Sequence, residues 1–259
     1  MAGMRQIVSG SRFILASTCS TKPGTLCTNK TWIGRADCRH CGVQAKVLFS
    51  GLSDAELDSI LRPIDIYCYP RKSSIYNELD PTGWVYTLRC GLVKLVRYLP
   101  DGTARIVRLL KPGDAFGLES MVGEKYDHSA IAVRRTEVCR IPVSVLTQLE
   151  KTSTTLHRNL VTRWEQQLQT ADRFITQLGT GTLRRRVASL IDVLCEISCG
   201  GEVCRVDLLG RDDIAAVLGV RVESVSRIIA ELKRENILHH LGNDQYEVDL
   251  AALSTCTDG

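Results

Sequence analysis

The stretch Gly210-Arg-Asp-Asp-Ile-Ala-Ala-Val-Leu-Gly-Val-Arg-Val-Glu-Ser-Val-Ser-Arg-Ile-Ile-Ala-Glu-Leu-Lys-Arg234 decides how this chain is read. Ile214, Val217 and Leu218 supply the inner face of a short first helix. Gly219 then allows the tight left-handed turn of a helix-turn-helix. Val225, Ile229 and Leu232 recur at four and three and give a second helix its buried stripe. Ala215 is small where the two crossing helices must approach closely. With the stripe inward, Glu223, Ser226 and Arg227 fall at i, i+3 and i+4 on the opposite face. One helical turn thus offers an acceptor, a hydroxyl and a bidentate donor. Arg suits the O6 and N7 of guanine, Glu the amino group of cytosine, and Ser several base edges. The plainer alternative is a solvated face with an accidental Glu–Arg pair. The joint occurrence of turn, stripe and polar triplet speaks against it.

Cations surround this unit. Arg184, Arg185, Arg186, Arg221, Lys233 and Arg234 lie near it in sequence, where they could meet phosphates. Such contacts position a protein on a duplex without reading its sequence. Arg211 and Ser224, near the starts of the two helices, join Arg221 as phosphate-contact candidates. Downstream, Leu238 to Val248 with Gly242-Asn243-Asp244 at its centre reads as a hairpin, hence a winged variant.

Upstream, a helical stretch is expected from about Val143 to Leu178. Within it Val161, Trp164, Leu168, Ala171, Ile175 and Leu178 step by 3, 4, 3, 4 and 3. This seven-residue repeat keeps one apolar seam facing a partner helix. The narrow stripe, flanked by Arg163, Glu165, Gln166, Gln167, Asp172 and Arg173, favours a second copy over packing on the helix's own domain. Ala171 leaves the centre of the seam uncharged, so the dimer is expected to persist without ligand. The helix ends at Gly179.

Residues 64–141 have another texture. Runs rich in Val, Ile, Tyr and Leu (Ile64 to Tyr69, Trp84 to Arg89, Leu92 to Leu99, Ala104 to Leu110, Glu137 to Ile141) alternate with turn clusters such as Asp80-Pro81-Thr82-Gly83 and Lys111-Pro112-Gly113-Asp114. Regular spacing of this kind indicates an antiparallel sandwich or barrel. Before it, Ser53 and Glu56 form a capping box for a short helix. The expected organisation is a flexible leader (1–36), a β-rich sensor domain with its preceding Cys-x-x-Cys segment (37–142), a dimerisation helix (143–179) and a winged helix-turn-helix (180–259), an α+β fold.

Composition sets the limits. The 259 residues suggest two domains. Apolar residues make up 44% and charged ones 24%, an ordinary folding composition. A net charge of +4 is too mild to identify a nucleic-acid binder in bulk, so that reading rests on local arrangement. No apolar run approaches a membrane span. Phe13-Ile14-Leu15-Ala16 is too short for the core of an export signal. Eleven cysteines fall below the density of disulfide-stapled secreted domains. The expectation is a cytoplasmic protein with reduced thiols. Cys68, Cys90, Cys195, Cys199 and Cys204 are read as buried or incidental.

In its order of parts, the chain resembles the CRP/FNR transcription regulators over about residues 38–250. Gly91-Leu-Val-Lys and Lys111-Pro-Gly-Asp-Ala-Phe-Gly117 look like that family's β-roll turns, and Val222-Glu-Ser-Val-Ser-Arg227 like the recognition helix of its FNR branch. The resemblance implies a cyclic-nucleotide-binding-type β-roll and a homodimer on double-stranded DNA at an inverted TTGAT-like repeat. It also implies RNA polymerase as a partner. Arg221 departs from the Ser or Thr that usually caps the recognition helix, a loss of about 0.5–2 kcal/mol that a phosphate contact could partly offset.

Two readings of the sensor stay open. In cAMP-binding relatives the roll carries a Gly-Glu pair and an Arg-Ser or Arg-Thr pair. Here Phe116-Gly117-Leu118-Glu119 displaces the carboxylate by one residue and His128 replaces the arginine before Ser129, which argues against cAMP. FNR-type sensors instead hold an iron–sulfur cluster, and Cys38, Cys41 and Cys139 match three of its four ligand positions. The fourth falls near Val47, which cannot bind iron, so Cys27, Cys19 or His40 would have to substitute. An iron–sulfur cluster, a thiol or zinc sensor, and structural cysteines beside a small-molecule effector all remain. A metal- or thiol-dependent enzyme around Cys38 and Cys41 is the remote alternative; the chain has no His-x-Glu zinc motif, Gly-rich phosphate loop or nucleophile elbow.

Overall fold

The computed structural model describes residues 27–38, 41, 48–60, 63–198 and 204–257. Among the described residues nine strands build the N-terminal half: β1 (Thr31–Arg35), β2 (Asp65–Tyr69), β3 (Ser74–Tyr76), β4 (Trp84–Cys90), β5 (Val93–Tyr98), β6 (Ala104–Leu110), β7 (Ala115–Phe116), β8 (Ser129–Ala132) and β9 (Thr136–Pro142). They form a five-stranded sheet, order β1-β2-β9-β4-β7, and a four-stranded sheet, order β3-β8-β5-β6. Every strand pairing is antiparallel. Side chains from both sheets, among them Tyr69, Leu88, Val93, Leu95, Phe116 and Val138, fill the space between them. A second apolar layer, including Phe49, Leu57, Ile66, Val85, Ile141 and Leu156, covers the far side of the larger sheet. Gly91 joins β4 to β5 at φ +101, where an added Cβ would lie 2.7 Å from the Arg135 carbonyl. Only glycine satisfies both the conformation and the space.

Three expectations need correction. The leader was expected to run to residue 36, yet β1 begins at Thr31 and pairs with β2, and Trp32 Nε1 donates to Asp65 Oδ1 at 2.9 Å. Five residues interrupted by Gly34 carry too little alternation to announce a strand. The continuous helix from Val143 is instead two, α2 (Val143–Glu150) and α3 (Thr154–Gly179). Ser153 caps the second by accepting from the Leu156 amide at 3.2 Å. Ser153 is buried, so Ser153→Ala is expected to lower stability by about 0.5–2 kcal/mol, read as a shift in a urea unfolding midpoint at unchanged slope. Finally, the thiols are not all reduced: Cys90 is disulfide-bonded, while Cys27, Cys38, Cys41, Cys68, Cys139, Cys195 and Cys256 are free. Cys19 and Cys199 lie outside the described residues.

The capping box is formed as the sequence suggests, at the head of α1 (Asp54–Ile60). The Ser53 amide donates to Glu56 Oε2 at 2.8 Å and the Glu56 amide to Ser53 Oγ at 3.4 Å.

The C-terminal part comprises α4 (Leu183–Ser198), β10 (Cys204–Asp207), α5 (Arg211–Leu218), α6 (Val222–Arg234), β11 (Leu238–Gly242), β12 (Gln245–Val248) and α7 (Leu250–Thr257). Its sheet has the order β10-β12-β11. Asn243 and Asp244, at φ +48 and +65, make the tight turn between β11 and β12, the wing that the Gly-Asn-Asp signal suggested. Its core continues into the β-roll through Leu92, Val96, Ile106 and Leu109. Ion pairs cross the same boundary: Lys94–Asp213 at 2.5 Å, Arg134–Asp207 at 3.2 Å and Arg71–Asp244 at 3.1 Å. Among the described residues no helix is long and apolar enough to cross a membrane.

Candidate nucleic-acid interface

Helix α5 stops where Gly219 enters the left-handed region at φ +65, ψ +42, its amide donating to the Ala215 carbonyl at 2.8 Å. Ala215 is buried at the crossing, as its size suggested. Helix α6 then starts with Arg221 in the capping position and no side-chain cap, which confirms the departure noted in the sequence. Glu223 in the first turn and Lys233 and Arg234 in the last complement the helix dipole, offsetting part of the missing cap.

Val225, Ile229 and Leu232 of α6 are buried in the domain core, and Glu223, Ser226 and Arg227 are all exposed on the opposite face. None of these three side chains makes a hydrogen bond or ion pair that would hold it against the protein, among the described residues. Arg221 is exposed at the head of the same helix; Ser224 is half-buried beside it. Arg211 is half-buried and its Nη2 donates to the Tyr246 hydroxyl at 3.3 Å, tying the head of α5 to the wing. Lys233 lies over the same ring, 4.9 Å from its centroid.

Two of the flanking arginines have other work. Arg184 Nη1 donates to Glu235 Oε1 at 2.9 Å and its second nitrogen to Oε2. Arg186 donates to the Leu178 carbonyl at 2.6 Å and to the Leu218 carbonyl, closing the ends of α3 and α5. Proximity in sequence did not reveal that Glu235 and two backbone carbonyls engage these side chains in the folded domain.

Arg105 of β6 was not singled out from sequence, because only the folded roll brings it here. Its guanidinium lies beneath the turn, with Nη1 1.8 Å from where a Cβ on Gly219 would stand. Gly219→Ala is expected to destabilise the protein by about 1–2 kcal/mol through the left-handed backbone and to displace Arg105. Arg105→Ala in the same background relieves only the contact, so the denaturation midpoint recovers partly.

On α3, Val161, Trp164, Leu168 and Ile175 are 51%, 43%, 64% and 68% exposed. Ala171 is half-buried between them. Leu178 departs from this seam: it is buried in the C-terminal core, because α4 folds back against the end of α3.

Within the roll, Gly117 takes φ +72, and a Cβ there would lie 3.2 Å from both the Trp84 carbonyl and the Tyr126 ring. Tyr76 stacks on Tyr126 at 3.9 Å between centroids, with Tyr86 and Phe116 beside them. Burial holds the Glu119 carboxyl above its ordinary pKa. Burial, followed by Arg108, holds His128 below its own, so its imidazole is not the fixed cation a buried cyclic phosphate requires. The Ser129 hydroxyl accepts from the Glu78 amide at 2.9 Å. These residues do not fit cAMP.

The structure brings Cys38, Cys41 and Cys139 into one neighbourhood with Arg89. Burial pushes Cys38 up to about 11 and Cys139 up to about 12, the neighbouring thiols adding to both and Arg89 opposing. Cys27 does not join them; it lies against Cys68. His40 and Val47 lie outside the described residues. A cluster needs four thiolate-type ligands; among the described residues three are gathered, two of them held protonated, and Cys27 is elsewhere. Among the described residues no group of three or more His, Cys, Asp or Glu side chains is arranged to hold a metal ion.

Comparison with known proteins agrees with this architecture. The cyclic nucleotide-binding domain family matches residues 68–153 and the Crp-like helix-turn-helix domain family residues 185–256. The nitrogen fixation regulation protein FixK of Azorhizobium caulinodans is 32% identical over 174 residues, covering 66% of this chain and 69% of that protein. The cyclic AMP receptor protein of Thermus thermophilus is 30% identical over 207 residues, covering 80% and 94%. The structure of FixK2 from Bradyrhizobium japonicum aligns with a TM-score of 0.67 at 27% identity, covering 74% of this chain and 96% of its own. A β-roll, a long helix with an apolar stripe and a helix-turn-helix of this kind, with relatives at this level of identity, place the chain in the CRP/FNR family of DNA-binding transcription regulators.

Proposed function

We propose that the protein acts in the cytoplasm as a homodimer on an inverted TTGAT-like repeat, with Glu223, Ser226 and Arg227 reading base edges. The observation that carries this is the face of α6: three polar side chains of complementary chemistry stand exposed and unengaged opposite a buried stripe. Arg221, Arg211 and Ser224 meet phosphates and set the helix in the major groove. Two copies join through Val161, Trp164, Leu168, Ala171 and Ile175 of α3. That stripe of exposed apolar side chains is the kind of surface a partner helix covers. The dimer then presents two recognition helices to two half-sites and engages RNA polymerase.

The roll senses a redox, oxygen or related signal through its cysteines. Support for this is the neighbourhood that Cys38 and Cys41 share with Cys139 of β9. The second reading, a small-molecule effector with structural cysteines only, is favoured by the protonated state of Cys38 and Cys139. The chain's own part in either case is to couple the roll to the DNA-binding domain through Lys94–Asp213 and the Arg105 contact.

A gel shift on the inverted repeat over a salt series tests the reading. Binding is expected to fall log-linearly with salt and to exceed binding to a scrambled duplex throughout. Equal retention of both duplexes would remove the base-reading claim and leave only phosphate contact.

A further inference from the structure

We infer that the junction of the β-roll, α3 and the helix-turn-helix holds a binding site for an apolar monocarboxylate, its carboxylate paired with Arg105 and its body against Phe174, Leu178 and Leu218. This deepens the small-molecule reading of the sensor and rests on it, because it names the chemical class of that effector.

A cavity of about 400 Å³ lies between β6, the C-terminal half of α3 and α5, within the size range of small-molecule sites. Its polar wall is basic throughout. Arg105 and Arg108 of β6, His128 ahead of β8 and Arg186 of α4 line it, and among the described residues no Asp or Glu does. Every other residue lining it is apolar or glycine, with Phe174 and Leu178 supplied by α3 and Leu218 by α5. Basic groups gathered against an apolar wall, with no acid among them, are complemented by an anion that carries an apolar body.

The number of charges follows from what each base already does. Arg108 Nη1 donates to Gln167 Oε1 at 2.7 Å. Arg186 is held by the Leu178 and Leu218 carbonyls. Burial, followed by Arg108, keeps His128 below its ordinary pKa, so it serves as a neutral hydrogen-bonding group. Arg105 is half-buried and has no hydrogen bond or ion pair among the described residues. One unpaired guanidinium calls for one negative charge, and its planar fork matches a carboxylate with two parallel hydrogen bonds. A nucleotide would add sugar hydroxyls and base edges that a wall apolar apart from four bases leaves unpaired.

The site also touches the DNA-binding unit directly. The Arg105 guanidinium lies against Gly219, the turn between α5 and α6, and Leu218 ends α5. A carboxylate on Arg105 therefore changes what the turn rests on. Ala171 and Ile175 line the cavity as well, so a second copy on the α3 stripe would border it.

The test is calorimetric titration of the full-length protein with benzoate, 4-phenylbutyrate and decanoate, each beside its neutral amide. At least one acid is expected to bind once per chain with a Kd below about 1 mM, and its amide about tenfold more weakly or worse. Arg105→Gln should weaken the acid by about tenfold or more and leave the amide unchanged. Should that variant fail to fold, the acid–amide comparison on the wild type still decides. Hydrogen exchange over residues 215–221 of the wild type should slow about fivefold or more when the acid is bound. No binding by any of the three acids, or binding that Arg105→Gln does not weaken, overturns the site. Equal binding of acid and amide overturns the carboxylate class and leaves the small-molecule reading standing. Binding with unchanged exchange across the turn overturns the effector reading while the site stands.

Discussion

Replacing Leu168 with aspartate is expected to turn the dimer into monomers at micromolar concentration and to abolish tight binding to the repeat. Leu168 is 64% exposed at the middle of the α3 stripe, so the substitution leaves each protomer's fold intact. In a dimer it would bury two facing carboxylates against apolar side chains, at a cost of several kcal/mol. Loss of the second half-site then removes the bivalent advantage, a factor on the order of 10²–10⁴ in affinity. Sedimentation velocity on wild type and variant checks it. Monomeric wild-type protein at the same concentration would contradict both the seam and the expectation that association persists without a ligand.

The second large effect is expected at Arg227. Arg227→Ala should cost about 1–3 kcal/mol of sequence preference for each half-site while leaving binding to a scrambled duplex nearly unchanged. By contrast, Arg221→Ala should weaken both duplexes alike and reduce the slope of affinity against salt by about one phosphate contact per half-site. Competition titrations at two salt concentrations separate the two outcomes. Equal losses on cognate and scrambled DNA for Arg227→Ala would reassign it to the backbone.

What the sequence disclosed followed the range of the interactions involved. The helix-turn-helix is local: a periodic stripe, Gly219 between two helices and a small Ala215 at the crossing suffice, and each is where the sequence put it. The longer strands were legible for the same reason, with β6 at its expected residues and β4, β5 and β9 shifted by only a residue or so at their ends. Short strands were not. β1, β3, β7, β8 and β10 have two to five residues each, too few to show a period of two, and their pairing partners lie far along the chain.

The site shows the same division. Which face of α6 is exposed could be read from spacing, since a helix face is fixed by its own residues. Whether Arg184 and Arg186 were available could not be, because Glu235 and the Leu218 carbonyl reach them only in the folded domain. Leu178 continued the seven-residue repeat perfectly, yet the return of α4 buried it. The fate of Cys27 depended on β1, so its separation from Cys38, Cys41 and Cys139 was beyond a linear reading.

The most direct check is a crystal structure of the protein on a duplex carrying the inverted repeat. Helix α6 is expected in the major groove of each half-site, with Arg227 bidentate to a guanine and Glu223 and Ser226 within hydrogen-bonding distance of neighbouring bases. A complex in which those three side chains point to solvent or reach only phosphates would contradict it.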